Sequence, residues 1–570
     1  LDLRKGGVGC KLALLEGLDA RHSQGKDSND DGSMLLVVAS AAAAALIAQH
    51  PSPLWHGKPP AERHRFVAAA QAAAPAADEP SDFMKFLEET RPREPPPSKE
   101  PPSEERADLG ADLVDWLRAG GAECDAVEVA SLAGYGRGLV AKRAVEAGDL
   151  VLSVPAAMIL SPSGYVQQLS QGGARGAQLS QALAPLLHTP DGQASLLALA
   201  LLRELALGDR SRFKPLLAAL PPPAELELPM LWSPARLEAL LGGSHLVSRA
   251  TRLRLDLEAE HASFEAGLFA ASPADFPPQH HSRERYLWAH AIVLSRGLAL
   301  AEESCLCPLL EMANHKEGCT HEWTRSASTG AAALLAGEGR DLSAGDQVFI
   351  DYGRGVARCS WELFYSHGFV PTPRGLGPNE GSTQGNSEGN SEANSEGGVA
   401  HWQSVGGRPL QVQVLRDSDP LLELKKSLLL ALGADDDVAC GVEVYVRPGS
   451  LEEGAPVLRL GQLDEAMAPH LAALLASAPL EAWAELQRPV GDEVERRVAA
   501  QLVASCEEAL RPLPPSAELA TIATEEAGTK GAAGAALERA AARVLLGERH
   551  ALEACREHWR EIGRKLAAST

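Results

Sequence analysis

The sequence predicts an α+β fold in which short strands enclose a helical insertion and a mainly helical region follows. Two segments echo each other, because residues 143–149 lead into the run 150–155 and residues 340–346 lead into the run 347–352. Each holds a Gly-Asp turn in front of β-branched or aromatic residues, which is typical of a turn that enters a strand. Between the two, leucine and alanine recur at helical periods, so a helical insertion splits the β unit.

Composition shifts divide the chain into four segments. Residues 1–105 contain alanine-rich and Pro/Glu-rich stretches and are predicted to be a weakly structured leader. Residues 106–372 form the split α+β domain, in which the helical insertion covers about 165–285. Repeated Gly-Asn-Ser-Glu segments make residues 373–404 a low-complexity linker, and residues 405–570 are predicted to be a mainly helical domain.

Individual elements follow from turn signals and periodicity. A helix is predicted from about Ala107, because apolar residues recur at helical spacing before a Gly120-Gly121 stop. The other predicted elements are helices at 194–207 and Pro234–Leu241, a strand at 410–415 and a final amphipathic helix through Leu545, Leu552 and Trp559.

The charge of the chain argues against nucleic-acid binding. Its 570 residues include 76 acidic and 53 basic side chains, which give a formal net charge of −23 without a basic stripe. An acidic surface suits a basic protein partner, although acidity is equally consistent with simple solubility. We therefore expect a protein partner and no nucleic acid.

The cysteines and the apolar segments leave the compartment open. Nine scattered cysteines without a C-x-x-C pair predict neither a disulfide framework nor a metal site, and the spacing of Cys305 and Cys307 matches no zinc pattern. The apolar run 34–48 is too short for a membrane span, and the acidic residues before it are unlike a signal-peptide leader. We expect no membrane association and a location in the cytoplasm or the chloroplast.

Four segments carry the candidate chemistry when they are taken together. They are the Gly-x-Gly-x-Gly run at 134–141, Leu-Ser-Arg at 294–296, Leu-Glu-Met-Ala-Asn-His at 310–315, and Ile-Asp-Tyr-Gly at 350–353 with His-Gly-Phe at 367–369. The glycine run does not open onto a helix, so it does not predict a dinucleotide site, and by itself it favours a hairpin turn.

The order of these segments resembles SET-domain protein methyltransferases of the Rubisco large-subunit methyltransferase type. The resemblance covers 107–369 well and 405–570 more loosely. It implies a SET-domain β fold with an inserted helical lobe, followed by a helical substrate-binding domain. It also implies S-adenosylmethionine as cofactor and transfer of its methyl group to a lysine of a non-histone protein.

The resemblance assigns the cofactor to a group of backbone and side-chain positions. Asn314 and His315 would hold S-adenosylmethionine, since their donors and acceptors suit adenine nitrogens. The backbone around Tyr135 would contact the methionine end, and Arg296 would support the carboxylate by charge-assisted bonding. The full cofactor-binding prediction is Tyr135, Gly136, Arg137, Gly138, Arg296, Asn314, His315 and His367.

Tyr352 is the predicted catalytic residue and also part of the predicted substrate site, together with Leu298 and Glu311. Methyl transfer from a sulfonium is an in-line displacement that needs a neutral, aligned amine. A phenolic oxygen can orient the amine, whereas deprotonation by Tyr352 is not expected because its reference pKa is about 10. Glu311 could line the substrate channel and meet an incoming cation, or it could be a surface carboxylate.

Several departures from the family pattern bear on the outcome. His367 replaces the usual tyrosine, and Cys359-Ser360 replaces the usual Ser-Asn. The segment 352–362 is also two or three residues longer than the corresponding segment of the family. These departures leave the second wall of the lysine pocket, the number of methyl groups and the efficiency open.

Two other functions are consistent with the same segments. Histidine methylation on the same scaffold is one, but the apolar Gly297 and Leu298 after Arg296 favour lysine, because a fixed imidazole would need a polar amide. A non-catalytic binding protein is the other. We expect a monomer whose protein substrate presents a lysine.

Overall fold

The structure, a computed structural model, describes residues 105–337, 339–371, 407–416, 418–431, 441–446, 455–467, 469–524 and 532–568. The apolar run 34–48, the linker 373–404 and all of the leader but its last residue lie outside the described residues. Every contact discussed below lies within one compact unit of the chain.

The strands of the N-terminal part form two small sheets and a short hairpin. In chain order the strands are β1 (Val127–Leu132), β2 (Gly136–Ala141), β3 (Leu150–Val154), β4 (Leu298–Leu300), β5 (Glu303–Cys305), β6 (Asn314–His315), β7 (Glu322–Arg325), β8 (Ala332–Leu335) and β9 (Gln347–Ile350). One sheet has the order β1-β2-β9-β6 and the other β3-β8-β7, while β4 pairs with β5. The runs after the two Gly-Asp turns are therefore strands, as the sequence predicts.

The glycine run at 134–141 forms the hairpin between β1 and β2. Leu132 pairs with Gly136 and Val127 with Ala141 in an antiparallel register. Gly134 has φ 78° and Gly136 has φ 72°, a left-handed conformation that glycine adopts without steric cost. The turn then returns the chain as β2, which pairs with β9.

The helices of this part lie before β1, between β3 and β4, and after β9. They are α1 (Glu105–Ala119), α2 (Pro162–Ser170), α3 (Gly173–Leu183), α4 (Pro190–Leu207), α5 (Lys214–Ala219), α6 (Pro234–Leu241), α7 (His245–Phe264), α8 (Arg283–Arg296) and α9 (Ser360–His367). Helix α4 begins at a Thr189 cap, whose Oγ1 accepts from the Gly192 N–H at 3.1 Å, and its residues 194–202 are buried on every side. Helix α4 is therefore the central helix of the insertion.

Helix α8 brings the insertion back to the sheets. Ser282 caps its start, residues 286–294 are buried, and Gly297 ends it directly before β4. A Cβ at Gly297 would collide with the Val293 carbonyl, so a small residue is required at this exit. The last residue of α8, Arg296, is thereby placed at the junction of the insertion and the strands.

The C-terminal part is mainly helical, with one two-stranded sheet. Its elements are β10 (Arg408–Gln413), α10 (Leu422–Ala431), β11 (Gly441–Val446), α11 (Ala455–Gln462), α12 (Pro469–Ser477), α13 (Pro479–Leu486), α14 (Asp492–Leu510), α15 (Ser516–Thr524) and α16 (Ala532–Ala568). Leu545, Leu552 and Trp559 are buried, as the amphipathic pattern predicts. In the described ranges, no helix combines the length and apolar character that a bilayer crossing requires.

Helix α16 packs against the N-terminal part. Leu537, Ala541 and Val544 of α16 share a buried apolar cluster with Trp361 and Phe364 of α9, and α6 contributes to the same cluster. Helix α9 is therefore held between the insertion and the C-terminal helices.

Candidate active site

A cavity lies where the end of α8, β4, the residues after β9 and helix α9 meet. Five predicted site residues line it: Arg296, Leu298, Glu311, Tyr352 and His367. Its other lining residues include Arg249, Ala313, Trp323, Arg354, Arg358, Trp361 and Glu362. Charged and aromatic side chains thus meet around one opening.

Tyr352 is fixed by its hydroxyl and by its ring. The Oη atom donates to the Ala313 carbonyl at 2.9 Å, and the ring stacks on His367 with centroids 4.6 Å apart. Burial raises the pKa of Tyr352 to about 12, with the Glu311 charge acting in the same direction and Arg296 opposing it. The hydroxyl therefore stays protonated, and its oxygen lone pairs remain able to accept a hydrogen bond.

Arg296 and Glu311 form an ion pair on the cavity wall. The Nη1 atom of Arg296 donates to Oε2 of Glu311, whose side chain is completely buried, whereas Arg296 is 23% exposed. The other carboxylate oxygen, Oε1, has no hydrogen-bond partner in the described part of the chain. Because its side chain is buried, the alternative that Glu311 is a surface carboxylate is wrong. A buried acceptor that lacks a donor carries a free-energy cost unless a ligand supplies one.

The sheet brings the Asn-His segment to the glycine hairpin. Strand β6 runs parallel to β9, with Asn314 opposite Phe349, and the Tyr135 ring packs edge-on against Phe349 at 5.5 Å. The Asn314 amide Nδ2 donates to the Arg137 carbonyl at 3.3 Å. A Cβ at Gly138 would collide with that amide, so the hairpin needs glycine at this position to let Asn314 approach.

His315 links this segment to the tyrosine. Its Nδ1 accepts from the backbone N–H of Tyr352 at 3.1 Å, which assigns the ring proton to Nε2. Burial lowers the pKa of His315, although Asp351, with Oδ1 3.9 Å from Nδ1, opposes the shift. A neutral imidazole therefore fixes the backbone that enters the turn after β9.

His367 forms another part of the cavity wall. It lies in the last turn of α9, and Gly368 follows with a left-handed φ of 77°. Ser366 Oγ lies 2.6 Å from its Nδ1. Burial lowers the pKa of His367 to about 3, and the charges of His315, Arg358 and Arg296 act in the same direction. The residue that replaces the family tyrosine is thus a neutral ring on the face of Tyr352.

Comparisons with known proteins agree with this arrangement. The Rubisco LSMT substrate-binding family matches residues 416–552. A solved structure described as the SET domain of LSMT bound to lysine and AdoHcy superposes with a TM-score of 0.63 at 19% identity, over 82% of this chain and 94% of that one. This chain has the SET-domain fold of the Rubisco large-subunit methyltransferase type. The predicted fold class and resemblance are confirmed.

Curated sequence relatives match somewhat less than half of this SET-domain chain. Human N-lysine methyltransferase SETD6 is 28% identical over 250 residues, 42% of this chain and 49% of that protein. The actin-histidine N-methyltransferase of Drosophila melanogaster is 25% identical over 279 residues, 45% of this chain and 48% of that protein. The chain spans about half the length of the curated relatives it matches.

The predicted site residues of this SET domain fall into two neighbouring groups. Arg296, Leu298, Glu311, Tyr352 and His367 line the cavity. The others are not part of its lining and lie in the β1–β2 turn, in β2 and in β6: Tyr135, Gly136, Arg137, Gly138, Asn314 and His315. The two groups are connected through the His315–Tyr352 contact.

Sequence reasoning missed several residues of the cavity. Arg249 and Trp361 come from α7 and α9, more than one hundred residues apart, and Arg249 lies over the Trp361 ring at 5.3 Å. Trp323 and Arg354 form a second such pair at 4.9 Å. The only signal in the sequence for Arg354 was the unusual length of the segment 352–362. Trp323 and Trp361 lie outside the recognised motifs, so no signal in the sequence marked them as site residues.

The cysteines near the site are buried thiols. Burial raises the pKa of Cys305 to about 12 and raises that of Cys307 well above its usual range. No group of three or more His, Cys, Asp or Glu side chains suited to a metal ion occurs among the residues that the structure describes.

Proposed function

We propose that this protein is an S-adenosylmethionine-dependent lysine N-methyltransferase that acts on a non-histone protein. The observation that carries the proposal is the Tyr352 hydroxyl, held by the Ala313 carbonyl in a cavity that is also lined by Glu311, whose Oε1 has no hydrogen-bond partner among the described residues. The similarity to a structure that binds lysine and AdoHcy and to human N-lysine methyltransferase SETD6 supports the same activity.

The residues present fit the proposed cofactor. Asn314 donates to the Arg137 carbonyl through Nδ2, so its amide oxygen can accept a hydrogen bond from the cofactor. The hairpin beside it has open space, because a Cβ at Gly134 or Gly136 would meet no atom within 4 Å. We assign cofactor binding to Asn314, His315, Arg296, His367 and the backbone of residues 135–138. When bound, S-adenosylmethionine supplies an electrophilic methyl group.

The chain's own groups would prepare the acceptor amine. A lysine side chain in the cavity would lie beside Leu298 and near the arginines of the lining. The apolar contact and the like charges both disfavour the ammonium and lower the pKa of the amine from about 10.4. The Tyr352 oxygen accepts a hydrogen bond from the amine and orients it, but it does not remove the proton, since its own pKa of about 12 keeps it protonated. The proton therefore leaves to solvent.

Glu311 would orient the same amine. Its free Oε1 accepts a hydrogen bond from the amine, whereas Arg296 compensates the charge through Oε2. Because the pair is nearly neutral as a unit, it positions the amine without strongly favouring the charged ammonium. Leu298 forms the apolar side of the same channel.

Histidine is the second candidate acceptor. The similarity to the actin-histidine N-methyltransferase of Drosophila melanogaster favours it. The half-buried Leu298 and the neighbouring Gly297 favour lysine, because neither offers the polar amide that would hold an imidazole in one tautomer.

The remaining parts of the proposal concern organisation and partners. We assign substrate binding to residues 405–570, in which the matched segment 416–552 lies, and the transferase unit to residues 106–372 with its insertion at about 165–285. The enzyme would act as a monomer on a protein that presents a lysine, with no role for nucleic acid or membrane, in the cytoplasm or the chloroplast.

Calorimetric titration of the full chain with S-adenosylmethionine tests the enzyme against a non-catalytic binding protein. We expect saturable binding that Asn314→Ala weakens by about tenfold, because the side chain loses roughly one good hydrogen bond. Asn390→Ala, a substitution in the low-complexity segment, is the matched control. Absence of binding to the unmodified chain would reject the transferase and favour a binding protein.

A further inference from the structure

The turn after Tyr352 holds an arginine at the rim of the cavity. Buried Asp351 accepts from the Gly353 N–H at 2.9 Å and from the Gly355 N–H at 3.2 Å. Arg354 between them has φ 50°, a left-handed conformation that costs free energy for a residue with a Cβ. A Cβ at Gly353 would collide with the Val356 carbonyl. The turn therefore has a defined conformation that fixes the backbone of Arg354.

The side chain of Arg354 is also fixed. Its guanidinium lies over the Trp323 ring, 4.9 Å from the centroid. It donates through Nη1 to the Ala299 carbonyl at 3.3 Å and through Nη2 to the Trp323 carbonyl at 3.4 Å. Ala299 and Trp323 both line the cavity, and the remaining N–H groups of the exposed guanidinium can serve a ligand.

Within the described part of the chain, the charge of Arg354 has no counter-ion at the rim. Glu311 is paired with Arg296, and Glu362 lies 3.6 Å from Arg358. In the ranges that the structure describes, no carboxylate lies within ion-pair distance of Arg354. A chain with a net charge of −23 therefore presents an unpaired cation where the substrate would enter.

We propose that Arg354 selects acceptor lysines that have an aspartate or glutamate one or two residues away. This inference rests on the proposed transferase function and names the substrate class of that site. A guanidinium held in place before binding loses little side-chain entropy when it pairs with a carboxylate, and like charge repels a flanking lysine or arginine. The preference reverses the expectation, based on net charge alone, that the substrate is basic around the site.

The test maps methylated sites in a protein extract that is incubated with the full-length enzyme and CD3-labelled S-adenosylmethionine. We expect acidic neighbours at labelled lysines about three- to fivefold more often than at all lysines of the extract, as an exposed charge pair allows. Arg354→Gln should remove this enrichment, and Arg354→Glu should shift it to basic neighbours. Arg143→Gln, an exposed arginine outside the cavity, should keep it.

Each alternative outcome has a separate meaning. Labelled lysines without acidic enrichment, or an enrichment that Arg354→Gln leaves intact, would overturn the inference while supporting the transferase. Weakened S-adenosylmethionine affinity of Arg354→Gln in calorimetry, with an intact preference, would assign Arg354 to the cofactor carboxylate and overturn the inference. No labelled site with any variant would overturn the proposed function and the inference with it. Thermal unfolding of each variant shows whether it is folded.

Discussion

Two buried glutamates of this protein are balanced in different ways. Both carboxylate oxygens of Glu548 in α16 have a neighbour that can balance their charge. Oε1 accepts from Ser244 Oγ at 2.5 Å and lies 3.1 Å from His245 Nδ1, whereas Oε2 forms no hydrogen bond among the described residues but lies at ion-pair distance, 3.4 Å, from Nη1 of Arg408. Glu311 has Arg296 at one oxygen and no hydrogen-bond partner at the other among the described residues.

This difference indicates a structural role for Glu548 and a functional role for Glu311. Burial alone would raise the pKa of Glu548, but His245, Arg408 and Ser244 outweigh it and lower the pKa. This carboxylate is therefore ionised, and its charge stabilises contacts within the fold. Glu311 lines the cavity, and its Oε1 atom has no hydrogen-bond partner within the described chain. An unsatisfied buried acceptor beside a cavity is where a ligand donor would bind.

The largest predicted effect is on stability at the first glutamate. Glu548→Gln keeps the shape but removes the charge, leaving buried Arg408 without its counter-ion between the insertion and the C-terminal part. We expect the free energy of unfolding to fall by about 3 kcal/mol, as measured by denaturant titration. Glu311→Gln should cost clearly less, because Arg296 reaches solvent. Equal losses for both variants would remove the distinction.

The second prediction concerns activity at the other glutamate. Glu311→Gln replaces the proposed acceptor for the amine by an amide, and we expect kcat/KM for the protein substrate to fall about tenfold, as loss of one charged hydrogen bond implies. Steady-state kinetics at saturating cofactor measures it. Folded Glu548→Gln, assayed below its unfolding transition, serves as the control. An unchanged kcat/KM for Glu311→Gln would show that the free oxygen is not used.

The smallest predicted effect is a pH dependence of stability at His367. Its pKa is about 3 in the fold and 6.5 in the unfolded chain, so below pH 6.5 the unfolded state binds more protons and stability falls as the pH falls. Between pH 6.5 and pH 5.5 this costs about 1 kcal/mol. Denaturant titrations of His367→Gln should show a loss smaller by that amount than wild type, with His188→Gln as control. Identical losses in wild type and His367→Gln would contradict the burial of a neutral ring.

Local signals predicted the elements better than the cavity. Pro234–Leu241 and the strands after the two Gly-Asp turns follow from caps, turns and periodicity, which act over a few residues. The Asn-His segment and Tyr352 could be assigned because each lies in a motif whose order resembles a family. The predicted final helix through Leu545 was correct because its apolar stripe is continuous.

Pairings over long distances in the chain could not be predicted. Ser244 and Glu548 are 304 residues apart, and nothing near either residue indicates the other. The contact of Arg296 with Glu311 spans only fifteen residues, but it depends on how α8 ends at Gly297. Arg354 reaches the rim through a strained turn whose geometry follows from Asp351 and two glycines, and composition does not reveal such a turn.

The orienting role of the Tyr352 hydroxyl is tested most directly by label transfer with Tyr352→Phe. The rate of CD3 transfer to lysine in a protein extract, at saturating cofactor, should fall about 100-fold, because one oriented hydrogen-bonding group is lost at the reacting centre. Cofactor affinity should change little. Tyr165→Phe, a buried tyrosine outside the cavity, should transfer label at the wild-type rate. Wild-type rates from Tyr352→Phe would contradict the account.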